Sequence, residues 1–159
     1  MFIAFSTSDS FGSNQVDLNY GDLKDFNDDL EILSAFNVKM KLSQIKIRDG
    51  SHTDQIQFVL SVGNQTIELS RHGGQGGDQN QYNVPDGHRV TKIEVWSGIA
   101  VNALRFTTDK GDVSIIFGNT YSPTSKVVFA PPNGHLTGLK GKSSKIINML
   151  SFIWWISDK

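Results

Sequence analysis

Ile45-Lys46-Ile47-Arg48-Asp49-Gly50-Ser51-His52-Thr53-Asp54-Gln55-Ile56-Gln57-Phe58 reads as two alternating strands around a turn of small residues that closes on an acid. Ile45 and Ile47 before the turn, and Ile56 and Phe58 after it, put one face of each strand into a core. The pattern returns as Ile93-Glu94-Val95-Trp96-Ser97-Gly98-Ile99-Ala100-Val101-Asn102-Ala103-Leu104-Arg105-Phe106, and again over residues 139–152, at offsets of 48 and 46 residues. A period of this size met three times predicts three similar β-units packed around an axis. The residue closing each turn is Asp54, then Asn102, then Asn148. Only the first copy keeps a carboxylate, so the three units need not share one function.

Outward from the repeat, short alternating segments continue, separated by turn signals. Gly63-Asn64 joins the strand around Val59 to Thr66-Ile67-Glu68-Leu69, and Pro85-Asp86-Gly87-His88 ends the strand around Tyr82. A hairpin through Asp109-Lys110-Gly111-Asp112 is expected to lead into a strand from Val113 to Phe117, and another strand covers Lys126 to Phe129. About ten short strands with Gly and Pro turns predict an all-β domain with no linker, so residues 1–159 are read as one domain. Met1 to Phe5 is apolar but short and has no basic flank, which suits a strand better than a signal peptide. Between Asp17 and Phe36, the spacing of Leu23, Phe26, Leu30 and Leu33 admits a short helix, and equally an irregular or strand-containing segment.

Composition narrows the function classes. Fifteen basic residues against sixteen acidic ones leave a net charge of -1, with no field to attract a polyanion, so nucleic acid is not an expected partner. There is no cysteine, hence no disulfide or thiolate chemistry and no indication of compartment. No apolar run approaches membrane-spanning length. The expectation is a soluble protein, cytoplasmic or secreted in mature form. His52, His72, His88 and His135 lack the local spacing of a metal site, and neither metal nor cofactor is expected.

The ordered set IKIRDGSHTDQIQFVL, HGGQGG, VTKIEVWSG, VNALRFTTDKG and GHLTGLKGKSS resembles the jacalin-related lectins over roughly residues 42–153. The resemblance implies the β-prism I fold, three four-stranded Greek-key sheets with pseudo-threefold symmetry. It also implies a non-enzymatic lectin whose partners are glycans or glycoproteins, with mannose or glucose-type sugars first, and in which a homodimer or larger oligomer would add avidity. Sugars bind such folds where a Gly-x-x-x-Asp loop meets a glycine-rich loop. Gly50-Ser51-His52-Thr53-Asp54 fits that pattern in full, and Gly73-Gly74-Gln75-Gly76-Gly77 would lie beside it. The equivalent loop of the last repeat, Ser144-Lys145-Ile146-Ile147-Asn148, has Ser for Gly and Asn for Asp, and its partner Phe11-Gly12-Ser13-Asn14 carries one glycine. It is read as a degenerate second site formed by Ser144, Lys145, Ile146 and Asn148.

Plainer readings stand beside each of these. Asp54 can cap its own turn, and the glycines can serve a bulge or bend. His52 can contact a sugar or simply be exposed, and His72 suits packing at a strand end. Adjacent Trp154 and Trp155 point to opposite faces, so at least one belongs to the core and the other can serve a dimer contact. Lys140, Lys142 and Lys145 form either a solvated face or a contact for an acidic glycan or anionic lipid. Asn64-Gln65-Thr66 is a glycosylation triplet, relevant only in the secretory pathway. Without working loops the prism would serve as an assembly or membrane-targeting module. A glycosidase would need two opposed carboxylates, for which only Asp49 and Asp54 are close in sequence.

Overall fold

The structure, a computed structural model, describes residues 4–17, 19–35, 38–122 and 124–157. Met1 to Ile3 of the proposed first strand, and Leu18 and Phe36 of the ambiguous segment, lie outside these. Every strand pairing is antiparallel, and the strands fall into three sheets. In the first, β13 (Gly134–Ser143) and β14 (Ile147–Ile156) are central, with β3 (Lys24–Phe26) on one side and β1 (Ala4–Thr7) and β2 (Phe11–Gly12) on the other. In the second, β4 (Lys41–Asp49) and β5 (Thr53–Val62) are flanked by β8 (Asp78–Asn83), and by β6 (Gln65–Glu68) with β7 (His72–Gly73). The third has β9 (Val90–Ser97) and β10 (Val101–Thr108) between β12 (Thr124–Phe129) and β11 (Phe117–Gly118).

The all-β, threefold expectation holds, with four strand positions per sheet and one outer position broken in each. That broken edge corrects the expected strand from Val113 to Phe117. Val113 makes one isolated bridge to Thr107, Ile115 and Ile116 are exposed, and pairing resumes only at Phe117.

The internal symmetry extends to irregularities. The hairpin register slips by one residue at Ser43, Thr91 and Thr137, positions related by the same offsets of 48 and 46. It slips again at Asp54, Asn102 and Asn148, so each turn-closing polar residue is the extra residue of a β-bulge. A bulge adds local twist and re-aims its side chain.

Equivalent inward positions carry equivalent apolar residues. Phe58, Phe106 and Phe152 are fully buried, as are Ile45, Ile93 and Leu139. Each such burial contributes about 1.5–3 kcal/mol.

Residues 24–35 resolve the ambiguous segment as both alternatives in turn, the short strand β3 and the helix α1 (Asp28–Ala35). Asp28, Asp29 and Glu31 in its first turn suit the positive end of the helix dipole. Leu33 is buried against Gly138, where a Cβ would come within 2.9 Å of its Cδ1. Asp29 is fully buried. Its Oδ2 accepts the Leu139 N–H at 2.9 Å, and its Oδ1 lies 3.1 Å from His72 Nε2. Burial pushes the Asp29 carboxyl up, and its contacts with His72 and Leu139 pull it back.

Candidate functional site

The three bulged turns lie at one end of the prism, because each follows the C-terminal end of β4, β9 or β13. Their backbones are built alike. The N–H of Gly50 donates to His52 O at 3.0 Å, Gly98 to Ala100 O at 3.0 Å, and Ser144 to Ile146 O at 2.9 Å. The outer strand then docks on the bulge carbonyl. Gly74 N–H donates to Asp54 O at 2.8 Å, Asn119 to Asn102 O at 3.1 Å, and Ser13 to Asn148 O at 3.0 Å. The residue before each of these donors is a glycine with φ near +100°. At Gly73, Gly118 and Gly12 a Cβ would lie 2.0–2.1 Å from the carbonyl oxygen of the bulge. That approach admits no side chain.

The side chains of the three bulge residues differ. Asn148 is buried, and its Oδ1 accepts the Ser144 hydroxyl at 2.8 Å. Asn102 is held twice, by His52 Nδ1 at 2.9 Å from its Oδ1 and by its own Nδ2 donating to Ser122 Oγ at 2.8 Å. Asp54 is half-buried, and among the described residues its carboxylate oxygens make no hydrogen bond. It does not cap its own turn. Partial burial pushes its carboxyl up, opposed by His52 and reinforced by Asp49, with Arg48 opposing more weakly.

The glycine-rich loop, residues 73–77, lies against Asp54 as expected, but most of its glycines serve the backbone. Beyond Gly73, a Cβ on Gly74 would strike Lys145 O at 2.4 Å, and one on Gly77 would strike Asp49 O at 2.6 Å. Reading four glycines as ligand clearance is therefore corrected. Gly76 is the exception, since a Cβ there would meet the Asp54 carboxylate at 2.6 Å and no backbone. Gln75 is exposed beside it.

Arg48 was not singled out in the sequence. Its guanidinium donates to Gln75 O at 3.1 Å, Gly76 O at 3.2 Å and Gly77 O at 3.0 Å, which ties the loop to β4. The signal was a cation at an outward strand position two residues before the turn. Of the other loop residues, Ser51 is exposed, Thr53 fully buried, and Gly50 contacts Gly77 at ordinary distance.

His52 is committed to the fold. Its Nδ1 lies on Asn102, its Nε2 is 3.2 Å from Tyr20 Oη, and the Tyr20 ring meets it edge-on at 5.5 Å. Tyr20 O in turn accepts the Lys145 N–H at 2.9 Å, so one chain of contacts ties the three turns together. In the last turn Ile146, Ile147 and Asn148 are buried and Lys145 is exposed.

Asp49 cannot act as a free carboxylate, because its Oδ1 accepts from Asn80 Nδ2 at 2.7 Å and its Oδ2 from Gly118 N–H at 2.8 Å. His72 is a packing residue on β7, stacked on Phe26 at 3.8 Å. Asp28, Asp29 and His72 place ligand-type atoms within 4.8 Å of one another, a grouping that local spacing does not reveal. His72 and Leu139 satisfy Asp29 there, while Asp28 Oδ1 lies 3.7 Å from His72 Nε2 and makes no hydrogen bond among the described residues. Both tryptophans of the C-terminal strand are buried at 2% exposure, which overturns the expected free Trp for a dimer contact. Trp155 lies between Phe5, edge-on at 5.6 Å, and His135, parallel at 6.3 Å. Lys142 pairs with Asp25 at 3.3 Å on the outer face of the first sheet. Among the described residues no helix is long and apolar enough to cross a membrane.

A sequence profile of the Jacalin-like lectin domain matches residues 19–153. A relative in Arabidopsis thaliana, myrosinase-binding protein 2, is 30% identical over 105 residues, covering 65% of this chain and 16% of that protein. Among solved structures, AcmJRL, a mannose-binding jacalin-related lectin from Ananas comosus, superposes with a TM-score of 0.73 at 18% identity, covering 96% of this chain and 97% of that one. Malaysian banana lectin gives 0.73 at 18% identity, covering 97% and 100%. Artocarpin, a lectin with mannose specificity, gives 0.73 at 14%, covering 94% and 96%. At these identities the superpositions establish the fold, the β-prism I of those lectins.

Proposed function

Since the chain belongs to the Jacalin-like lectin domain family, we propose that it binds carbohydrate without transforming it, at the junction of residues 50–54 and 73–77. One observation carries the reading. Of three symmetry-related bulge residues, Asp54 alone is ionisable, and its oxygens have no partner among the described residues while facing a glycine without a Cβ. A sugar offers adjacent hydroxyls as donors, and a fixed carboxylate is a strong acceptor for two of them. Each such charged hydrogen bond contributes about 1.5–3 kcal/mol. Backbone N–H groups of the glycine loop and the Gln75 amide would complete the contacts. Mannose or glucose-type sugars are the first candidates, because AcmJRL and artocarpin are named for mannose.

Asp49 is consumed by two structural bonds, so Asp49 and Asp54 do not form the pair of free carboxylates that glycoside hydrolysis requires. The residues 144–148 turn is read as structural, because Asn148 is buried and bonded to Ser144. A glycan array of the parent protein and of Asp54→Ala tests the proposal. Mannose-type hits that vanish in the variant support it. An array with no hits, alongside a tight protein partner, would favour the assembly-module reading.

A further inference from the structure

The opposite end of the prism holds a cavity of about 330 Å³. It gathers the starts of β4, β9 and β13, and residues 41, 89 and 135 are related by the same offsets of 48 and 46 as the sugar-side turns. Lys41, Arg89 and His135 occupy those three positions, and all three line the cavity. Lys39 and His88 join them, and no carboxylate is among the lining residues. Lys41 Nζ donates to Pro85 O at 3.1 Å, and His88 Nδ1 lies 2.9 Å from Thr108 Oγ1. Neither Lys39, Lys41 nor Arg89 has an ion-pair partner among the described residues. Asp109 lies close by, its Oδ1 accepting the Arg89 backbone N–H at 3.0 Å, and Asp86 directly precedes the lining residues Gly87 and His88.

His135 is 2% exposed, and its Nε2 is buried with no hydrogen-bond partner. Buried polar atoms without partners are rare. Burial first, then Arg89 and Lys39, push the His135 imidazole down to about 4, with Asp109 opposing.

We propose that this cavity is a second binding site, for a phosphate- or sulfate-type oxyanion held by Lys39, Lys41 and Arg89 beside His135. The site is independent of the sugar reading at the other end. A volume near the lower end of ligand pockets, roughly 300–1,000 Å³, leaves room for the oxyanion to be carried on a small molecule.

The test is a titration of the intact protein with inorganic phosphate, inorganic sulfate and glucose 6-phosphate, each matched for ionic strength with chloride. His135 ring resonances and the Arg89 Nε–H are followed by NMR. Saturable shifts, with the His135 pKa rising from about 4, are expected. Arg89→Gln and Lys41→Gln, each checked for an unchanged fold by circular dichroism, should weaken binding at least tenfold and leave any glycan binding unaltered. Binding by the inorganic ions identifies a free oxyanion as sufficient, and binding by glucose 6-phosphate alone identifies an ester; either supports the site. No saturable shift beyond chloride, or equal shifts in parent and both variants, would overturn it.

Discussion

The turns at residues 50–54 and 144–148 share a backbone and differ in what their last side chain is left to do. Both close with the same position 1 N–H to position 3 carbonyl bond, both carry a bulge at the fifth residue, and both receive an outer strand through a positive-φ glycine. In the second, a serine replaces the first glycine, and its hydroxyl binds the Asn148 side chain. In the first, Gly50 has no side chain to offer, so Asp54 stays unpartnered. The scaffold is the same in all three units, and what differs is the bulge side chain and the partners within its reach: Ser144 for Asn148, and His52 with Ser122 for Asn102.

The strongest way to break this comparison is to attack what the turns share. Gly73→Ala and Gly12→Ala each force a Cβ to within 2.1 Å of a bulge carbonyl at positive φ. Both should lower stability by roughly 2–4 kcal/mol in urea denaturation. Only Gly73→Ala should also abolish mannose binding, and equal losses of binding would show that the two turns are not functionally distinct.

The far end of the prism responds to pH. His135 has a folded-state pKa of about 4 against the ordinary 6.5. The unfolded chain therefore binds more protons in that window, and stability is lost as pH falls through it, by about 2–4 kcal/mol in total. Thermal melts across this range should show the loss, and His135→Phe, which keeps an aromatic against Trp155, should flatten it. Glycan binding should fall separately on acidification, as the Asp54 carboxyl, pushed up by partial burial, takes up its proton.

A smaller and more selective effect is expected at Gly76. Gly76→Ala meets only the end of the Asp54 side chain, so stability should change by less than ~0.5 kcal/mol. Binding to mannose should weaken about tenfold, the equivalent of ~1.4 kcal/mol. An unaffected affinity would move the ligand away from the Asp54–Gly76 face. The smallest effect belongs to the silent turn. Asn148→Ala removes the Ser144 bond and should cost about 1 kcal/mol of stability, with binding unchanged.

Much of this was legible in the sequence because strand alternation and the threefold offset are local, repeated signals. The same offsets located all six bulge positions once the register was known. The segment from Asp17 to Phe36 was not legible, because α1 is held by long-range partners: Asp29 by Leu139, 110 positions away, and by His72, 43 away. The glycine-rich loop misled in part, since the atoms that forbid a Cβ at Gly74 and Gly77 belong to Lys145 and Asp49. His52 stood at a turn tip in sequence, yet it bridges Tyr20 and Asn102 from two other parts of the chain. Both tryptophans are buried because Trp154 packs beside Phe152 while the Phe5 and His135 side chains lie against Trp155.

The most direct test of the account is calorimetric titration of mannose into the parent, Asp54→Ala and Asn148→Ala, all verified as folded. The account predicts binding in the parent and in Asn148→Ala and none measurable in Asp54→Ala. Retained affinity in Asp54→Ala, with loss in Asn148→Ala, would contradict it.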